Sequence, residues 1–205
     1  MYMLLFFSGE TINTFRGTGV LEVNNPKRMN DNQLLKECLR GDTEKFKVIV
    51  EKYRGKTLAL AVNVLGNRQD AEDACQEAFL QVYSHLNAFD FKKNFSNWLF
   101  SILYKRCLDQ LRKRQRFFSF FKKSKGVYEE LAGSQALRFS KQDPVPHGML
   151  EKLSPKERSS LYLWAVEGYT GKEIAEILGC SPGTARIHLF KARKKIKSLL
   201  EKEDV

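Results

Sequence analysis

Apolar residues recur at spacings of three and four along most of this chain, and nowhere do they alternate with polar ones over the length of a strand. From Asp31 to Arg116 that pattern predicts helices throughout. A first helix covers Leu34–Arg40 and is interrupted at Gly41-Asp42. A second starts at Thr43, carries Phe46, Ile49, Val50 and Tyr53 on one face, and extends past Gly55 to Leu65, where Gly66-Asn67 ends it. A third runs from Arg68 to Leu86 with Asn67 as its cap. A loop, Asn87–Phe95, leads to a long fourth helix from Ser96 to about Arg116.

The periodicity returns near Pro146, and here the helix ends are written in the sequence. Ser154-Pro155-Lys156-Glu157 has the form of a capping box with proline at the first helical position, and Gly168 stops the helix it opens. Thr170-Gly171-Lys172-Glu173 is a second box. Gly179 supplies a left-handed turn, and Ser181-Pro182 starts the next helix. Two short-range helix starts a dozen residues apart, broken by a glycine, predict a helix-turn-helix.

The fold expected is all-α: two small helical domains joined by a flexible linker, the second a helix-turn-helix domain without a wing. Residues 31–116 form the first domain and 146–205 the second. Residues 117–145, basic and aromatic at first and then mixed with Gly, Ser and Pro, read as the linker, with a short helix in its middle. Residues 1–30 are a Gly-, Thr- and Asn-rich extension without helical periodicity, expected to be disordered or to precede a true start at Met29.

Charge narrows the function. The 205 residues carry a formal net charge of +11, which points to a polyanionic partner. Cys38, Cys75, Cys107 and Cys180 have neither C-x-x-C nor metal-ligand spacing, so they are expected to be small buried hydrophobes in a reducing cytoplasm. No stretch approaches the roughly 18 apolar residues of a membrane span.

Three surfaces are candidates for binding. On the third helix, Ala71, Ala74, Cys75, Ala78, Phe79 and Val82 form the core stripe, while Asp70, Asp73, Gln76 and Glu77 lie opposite with Leu80 projecting among them. An apolar residue in an acidic face suits a basic, partly apolar protein partner. The loop and fourth helix interleave Phe89, Phe91 and Tyr104 with Lys92, Lys93, Lys105, Arg106, Arg112 and Lys113, beside Asn94. Aromatic rings can stack unpaired bases while lysines and arginines pair phosphates. Trp98, Leu99, Ile102 and Leu103 recur at core spacing. In the last helix, Ala185, Leu189, Ala192, Ile196 and Leu199 face inward, leaving Gly183, Arg186, Ile187, Phe190 and Lys191 on the other side. The start of such a helix reaches base edges in the major groove, where Arg186 can read guanine with two hydrogen bonds. Ser181, Thr184, His188 and Lys194 flank it, and Lys172 sits at a helix start that favours phosphate. For Thr184, a capping role competes with DNA contact.

Three blocks in order, GNRQDAEDACQEAFLQVYSHLNAFD, FSNWLFSILYKRCLDQLRK and LSPKERSSLYLWAVEGYTGKEIAEILGCSPGTARIHLFKARKKI, resemble the extracytoplasmic-function group of bacterial RNA polymerase sigma factors over about Asp31–Leu200. The resemblance implies that the third helix meets the clamp of core RNA polymerase through Asp73, Gln76 and Glu77, in agreement with the acidic face that Asp70 and Leu80 share. It implies that the loop and fourth helix capture the melted minus-ten element, and that the last helix reads the minus-thirty-five element of promoter DNA. It also implies that the second domain meets the polymerase flap, that the linker threads toward the active cleft, and that an anti-sigma factor is a partner. Pro182-Gly183 stand where the group usually has a β-branched or alanine-like residue, which bears on which promoter is read.

A free-standing helix-turn-helix regulator acting as a dimer is the second reading. It lacks a heptad seam and a ligand-pocket signature, and leaves the acidic face without a role. An enzyme on nucleic acid is the third. The chain shows no carboxylate cluster with metal spacing, no phosphate-cradling glycine loop, and only His85, His147 and His188. Catalytic residues, metals and cofactors are not expected.

Overall fold

Most helix starts among the described residues are set by side-chain oxygens, the helix that begins after Thr43 being an exception. The computed structural model describes residues 29–122, 150 and 152–203, and its described segments contain seven α-helices. We number them α1 (Asp31–Leu39), α2 (Glu44–Leu65), α3 (Arg68–Ser84), α4 (Phe95–Lys122), α5 (Pro155–Ala165), α6 (Gly171–Leu178) and α7 (Pro182–Glu203). The Asn67 side chain accepts from the Asp70 N–H at 2.8 Å and opens α3. Ser154 with Glu157, and Thr170 with Glu173, form the two expected capping boxes. Gly179, at φ 64°, makes the left-handed turn between α6 and α7, a conformation that costs any residue with a Cβ.

Three boundaries differ from expectation. The first helix begins at Asp31, not Leu34, because Asn30 and Gln33 build a capping box of their own. The third ends at Ser84, and Leu86–Ala88 form a single 3-10 turn that buries Leu86. The fourth continues to Lys122, beyond Arg116, since Phe117–Lys122 contains neither glycine nor proline to stop it. The rest of the predicted linker, its short helix and the extension through residue 28 lie outside the described residues.

In the first domain, α2, α3 and α4 pack together with α1 against α2. Leu34, Leu35, Ile49, Leu60, Val64, Ala71, Ala78, Phe79, Leu99 and Leu103 are all at most 2 % exposed. Alanines on α3 bring its backbone close to α2 and α4. In the second domain, α5, α6 and α7 pack around Leu163, Ile174, Ile177 and Ala185.

The two domains are packed on one another. Helix α5 lies against α2 and α6 against α4, and one apolar cluster runs through both domains, with Leu150, Leu153 and Ala192 in a smaller second one. Polar contacts line the seam: Lys56 with Glu167 at 2.6 Å, Ser96 Oγ with Tyr169 Oη at 2.7 Å, and Asn97 Nδ2 donating to Glu176 at 3.0 Å. Arg158, 5 % exposed, donates to the carbonyl oxygens of Asn63 and Val64 at 2.8 and 3.2 Å and to Leu150 O at 3.3 Å.

Candidate nucleic-acid and polymerase interfaces

The stripe of small residues on α3 faces inward, so the residues between them must face out. Asp73, Glu77 and Leu80 are exposed, Leu80 by 51 %, and Gln76 is half-buried beside them. They form one ridge at i, i+3, i+4 and i+7. Tyr83 continues it, 41 % exposed, its ring edge resting on Phe46. Asp70 is less available. It accepts from Asn67 Nδ2 at 2.8 Å and pairs with Arg114 of α4. Arg106 likewise leans on the ridge, donating to Gln81 at 2.9 Å and lying 3.9 Å from Glu77.

In the loop before α4 the aromatics stack on each other rather than standing open. The Phe89 ring lies 4.9 Å from Trp98, 5.2 Å from Phe91 and 5.7 Å from Phe95. Phe89 is 5 % exposed and Tyr104 1 %, so neither is presented as a stacking platform in this conformation. Tyr104 falls at helical spacing with Phe100, Leu103 and Cys107, all buried, and its hydroxyl has no hydrogen-bond partner. Phe91 is half-buried, with the Lys36 ammonium 5.6 Å from its ring. Asn94 caps α4, accepting from the Ser96 N–H at 2.8 Å. Exposed and cationic here are Lys92, Lys93, Lys105, Arg112 and Lys113, with Arg112 bonded to Asp109 at 2.9 Å.

The start of α7 is open. Ser181 Oγ accepts from the Thr184 N–H at 3.1 Å, and the two hydroxyls meet at 2.9 Å, so Thr184 is half-buried and engaged with the cap. Pro182, Gly183, Arg186, Lys191 and Lys194 are exposed, as is Lys172. Ile187 and Phe190 are 53 % and 66 % exposed on the same side. Phe190 thus adds an aromatic ring to this face, and its place outside the Ala185–Leu189–Ala192 stripe is the signal for it in the sequence. Burial, together with the nearby Lys156 charge, lowers the affinity of His188 for a proton, leaving the ring neutral at pH 7 and without charge to offer a phosphate.

The cysteine chemistry is quiet. Burial pushes the Cys38 thiol up to about 11 and the Cys75 thiol to about 12, and raises Cys107 further. These groups stay protonated and unreactive at neutral pH.

An acidic ridge, a basic helix and an open helix-turn-helix on one all-helical chain define a nucleic-acid-binding protein with a built-in protein partner. Comparison with known families places it. The model for Sigma-70 region 2 matches residues 49–117, and that for Sigma-70 region 4 matches 147–196. The chain is 29 % identical over 181 residues to the RNA polymerase sigma-H factor of Pseudomonas aeruginosa, covering 83 % of this chain and 94 % of that one. It is 29 % identical over 184 residues to the ECF RNA polymerase sigma factor SigW of Bacillus subtilis, covering 81 % and 94 %. Among solved structures it resembles the sigma factor RpoE of Bartonella quintana in complex with the anti-sigma factor NepR. There the TM-score is 0.63 at 26 % identity, over 77 % of this chain and 98 % of that one. It also resembles CnrH in complex with the cytosolic domain of CnrY, with a TM-score of 0.59 at 26 % identity over 84 % and 97 %. The chain belongs to the extracytoplasmic-function group of bacterial RNA polymerase sigma factors. Its function is promoter-specific initiation of transcription.

Proposed function

We propose that the α3 ridge of Asp73, Gln76, Glu77 and Leu80, with Asp70 at its end, docks on the clamp of core RNA polymerase. Residues 31–116 form the polymerase-binding and minus-ten domain, 117–145 the linker and 146–205 the minus-thirty-five domain. Lys92, Lys93, Asn94, Lys105, Arg106, Arg112 and Lys113 hold the opened minus-ten strand, with Phe91 at the loop. Phe89 and Tyr104 join them only if the loop and the α4–α6 packing rearrange. Lys172, Ser181, Gly183, Thr184, Arg186, Ile187, His188, Lys191 and Lys194 form the minus-thirty-five surface, with Arg186 the base reader. The protein contributes recognition and strand capture, and the bond-making belongs to the polymerase. It acts in the cytoplasm, and an anti-sigma factor is its regulator, as the two structural relatives' complexes suggest.

The observation that carries this reading is the simultaneous exposure of the acidic ridge on α3 and of the α7 start, two different helices, which leaves one chain able to hold polymerase and DNA together. The test is run-off transcription from a pool of random promoters, with and without core polymerase. Specific transcripts only when both proteins are present support it. DNA binding indifferent to polymerase favours a free-standing regulator. Asp73→Arg with Glu77→Arg should abolish co-elution with core polymerase while helix content stays unchanged.

A further inference from the structure

Arg193 is an exposed arginine that the proposed minus-thirty-five surface leaves out. It follows Arg186 by seven residues on α7, so the two side chains leave the helix within roughly 20° of one direction. Phe190, 66 % exposed, stands between them. Helix α7 carries no acidic residue before Glu201. Lys195 and Lys197 find carboxylates, Glu157 at 2.8 Å and Glu201 at 3.7 Å. Among the described residues Arg193 forms no ion pair.

What lies beneath Arg193 is a ring. Its Cζ is 5.0 Å from the centroid of the Trp164 indole. Trp164 stands in the last turn of α5, next to the fully buried Leu163, yet is itself 43 % exposed. Much of its area stays out of the core, so packing accounts for only part of its presence. Its face attracts a guanidinium, which stacks on aromatic rings where an ammonium cannot. Stacking leaves the N–H donors of Arg193 available, because they point outward in the guanidinium plane. Arg186 is braced in a similar way. A Cβ on Gly171 would stand 3.7 Å from Arg186 Cγ, so that stem runs over the start of α6. Each arginine is thus steadied by a neighbouring helix, and less freedom remains to be lost on binding.

Position along α7 decides what Arg193 meets. The first residues of a recognition helix reach base edges. A rise of about 1.5 Å per residue puts Arg193 about 10 Å beyond Arg186 along the axis. The major groove is about 12 Å wide. A helix that enters the groove at Arg186 has therefore come to its wall at Arg193, and the wall is phosphate.

We propose that Arg193 is a DNA-backbone contact of the minus-thirty-five face and that Trp164 is the positioning residue that holds it there. The DNA surface then extends from α6 and α7 onto α5. The guanidinium fork of Arg193 donates to phosphate oxygens and adds affinity without sequence preference. Trp164 touches no DNA and acts through Arg193 alone. This inference rests on the minus-thirty-five reading of α7.

The test measures binding of the full chain, reconstituted with core polymerase, to a promoter duplex recovered from the run-off pool, at salt from about 50 to 200 mM. Arg193→Ala should weaken binding roughly five- to tenfold near 0.1 M salt and flatten the plot of log affinity against log salt by about one unit. The loss should be the same on promoters that differ in the minus-thirty-five bases. Arg193→Lys and Trp164→Leu keep the charge and lose the stack, so the slope should hold while affinity falls roughly two- to fivefold. Trp164→Phe keeps a ring face and should recover most of that. Combined with Arg193→Ala, Trp164→Leu should cost nothing further, whereas a merely structural tryptophan would weaken binding equally in both backgrounds. Equal weakening therefore overturns the positioning role, as does a Trp164→Leu that binds like the wild type. An Arg193→Ala with unchanged affinity and slope overturns the DNA contact. So does an Arg193→Ala that loses co-elution with core polymerase in the absence of DNA, which would make this face a protein interface. Failure of the wild type to direct any promoter-dependent transcription would instead strike at the function on which the inference rests.

Discussion

Asn67 shows how much one side chain can organise. Its carbonyl oxygen caps α3 and its amide holds Asp70, which in turn pairs with Arg114 across to α4. Asn67→Ala should cost about 0.5–2 kcal/mol, seen as a lower urea midpoint with an unchanged slope. Phe89 and Tyr104 separate a residue's type from its setting. Aromatic rings among lysines suggest base stacking, yet both rings are buried. For Tyr104 the spacing to Phe100, Leu103 and Cys107 already signalled core, and ring identity outweighed it. For Phe89 no local pattern was available, because its partners Phe95 and Trp98 lie on the next helix. Phe89→Ala should therefore behave as a core truncation and destabilise the first domain by about 3–5 kcal/mol in thermal or urea unfolding. A variant of wild-type stability that fails only in strand opening would restore Phe89 to the DNA surface. Arg186 is open at the start of α7, and Arg186→Ala should relax one promoter position at a cost of roughly 1–3 kcal/mol. Equal weakening on every promoter sequence would make it a phosphate contact instead.

At the scale of elements, helix ends were legible where the chemistry is local. Asn67, Ser154, Thr170, Gly179 and Ser181 each act within four residues of themselves, and each does what its spacing predicts. The Asn30–Gln33 box carries the same signal, hidden beside a polar extension. The boxes of the second domain add a pH dependence. Glu173 titrates below the ordinary glutamate range because it accepts from the Thr170 side chain and backbone. Burial works against Glu157, yet the Lys195 ammonium and the Ser154 bonds outweigh it and lower it too. A carboxylate lowered on folding contributes stability that is complete above its unfolded value, near 4.3. That contribution is lost as pH falls through the lower folded value. The melting temperature of the second domain should hold down to about pH 5 and then fall. In Glu173→Gln, which keeps a side chain able to cap but removes the charge, the fall should be shallower. Parallel curves would remove Glu173 from the acid response.

At the scale of the molecule, the two family halves were legible and their packing was not. Each half is built from contacts a few residues apart or between neighbouring helices. The seam joins residues some seventy to a hundred and ten positions apart, such as Ser96 with Tyr169 and Lys56 with Glu167. Arg158 sits in a capping-box segment, where it reads as one more surface charge, and nothing nearby announces the α2 carbonyls that bury it. Tyr169 offers a way to measure the seam from a half-buried side chain that packs against the edge of the core. Its ring meets Phe100 edge-on at 5.9 Å and its hydroxyl meets Ser96, so one side chain from the second domain holds two positions on α4. Tyr169→Phe keeps the ring contact and loses one hydrogen bond, a change of about 0.5–1.5 kcal/mol. Tyr169→Ala removes both and leaves a gap over Phe100. If the seam couples the domains, amide exchange along α4 near Phe100 should quicken strongly in the alanine variant and slightly in the phenylalanine one, although neither substitution lies in the first domain. Amides along the acidic ridge of α3 should keep their protection in both. Unchanged exchange on α4 in the alanine variant would mean that the domains merely touch, and that each unfolds by itself.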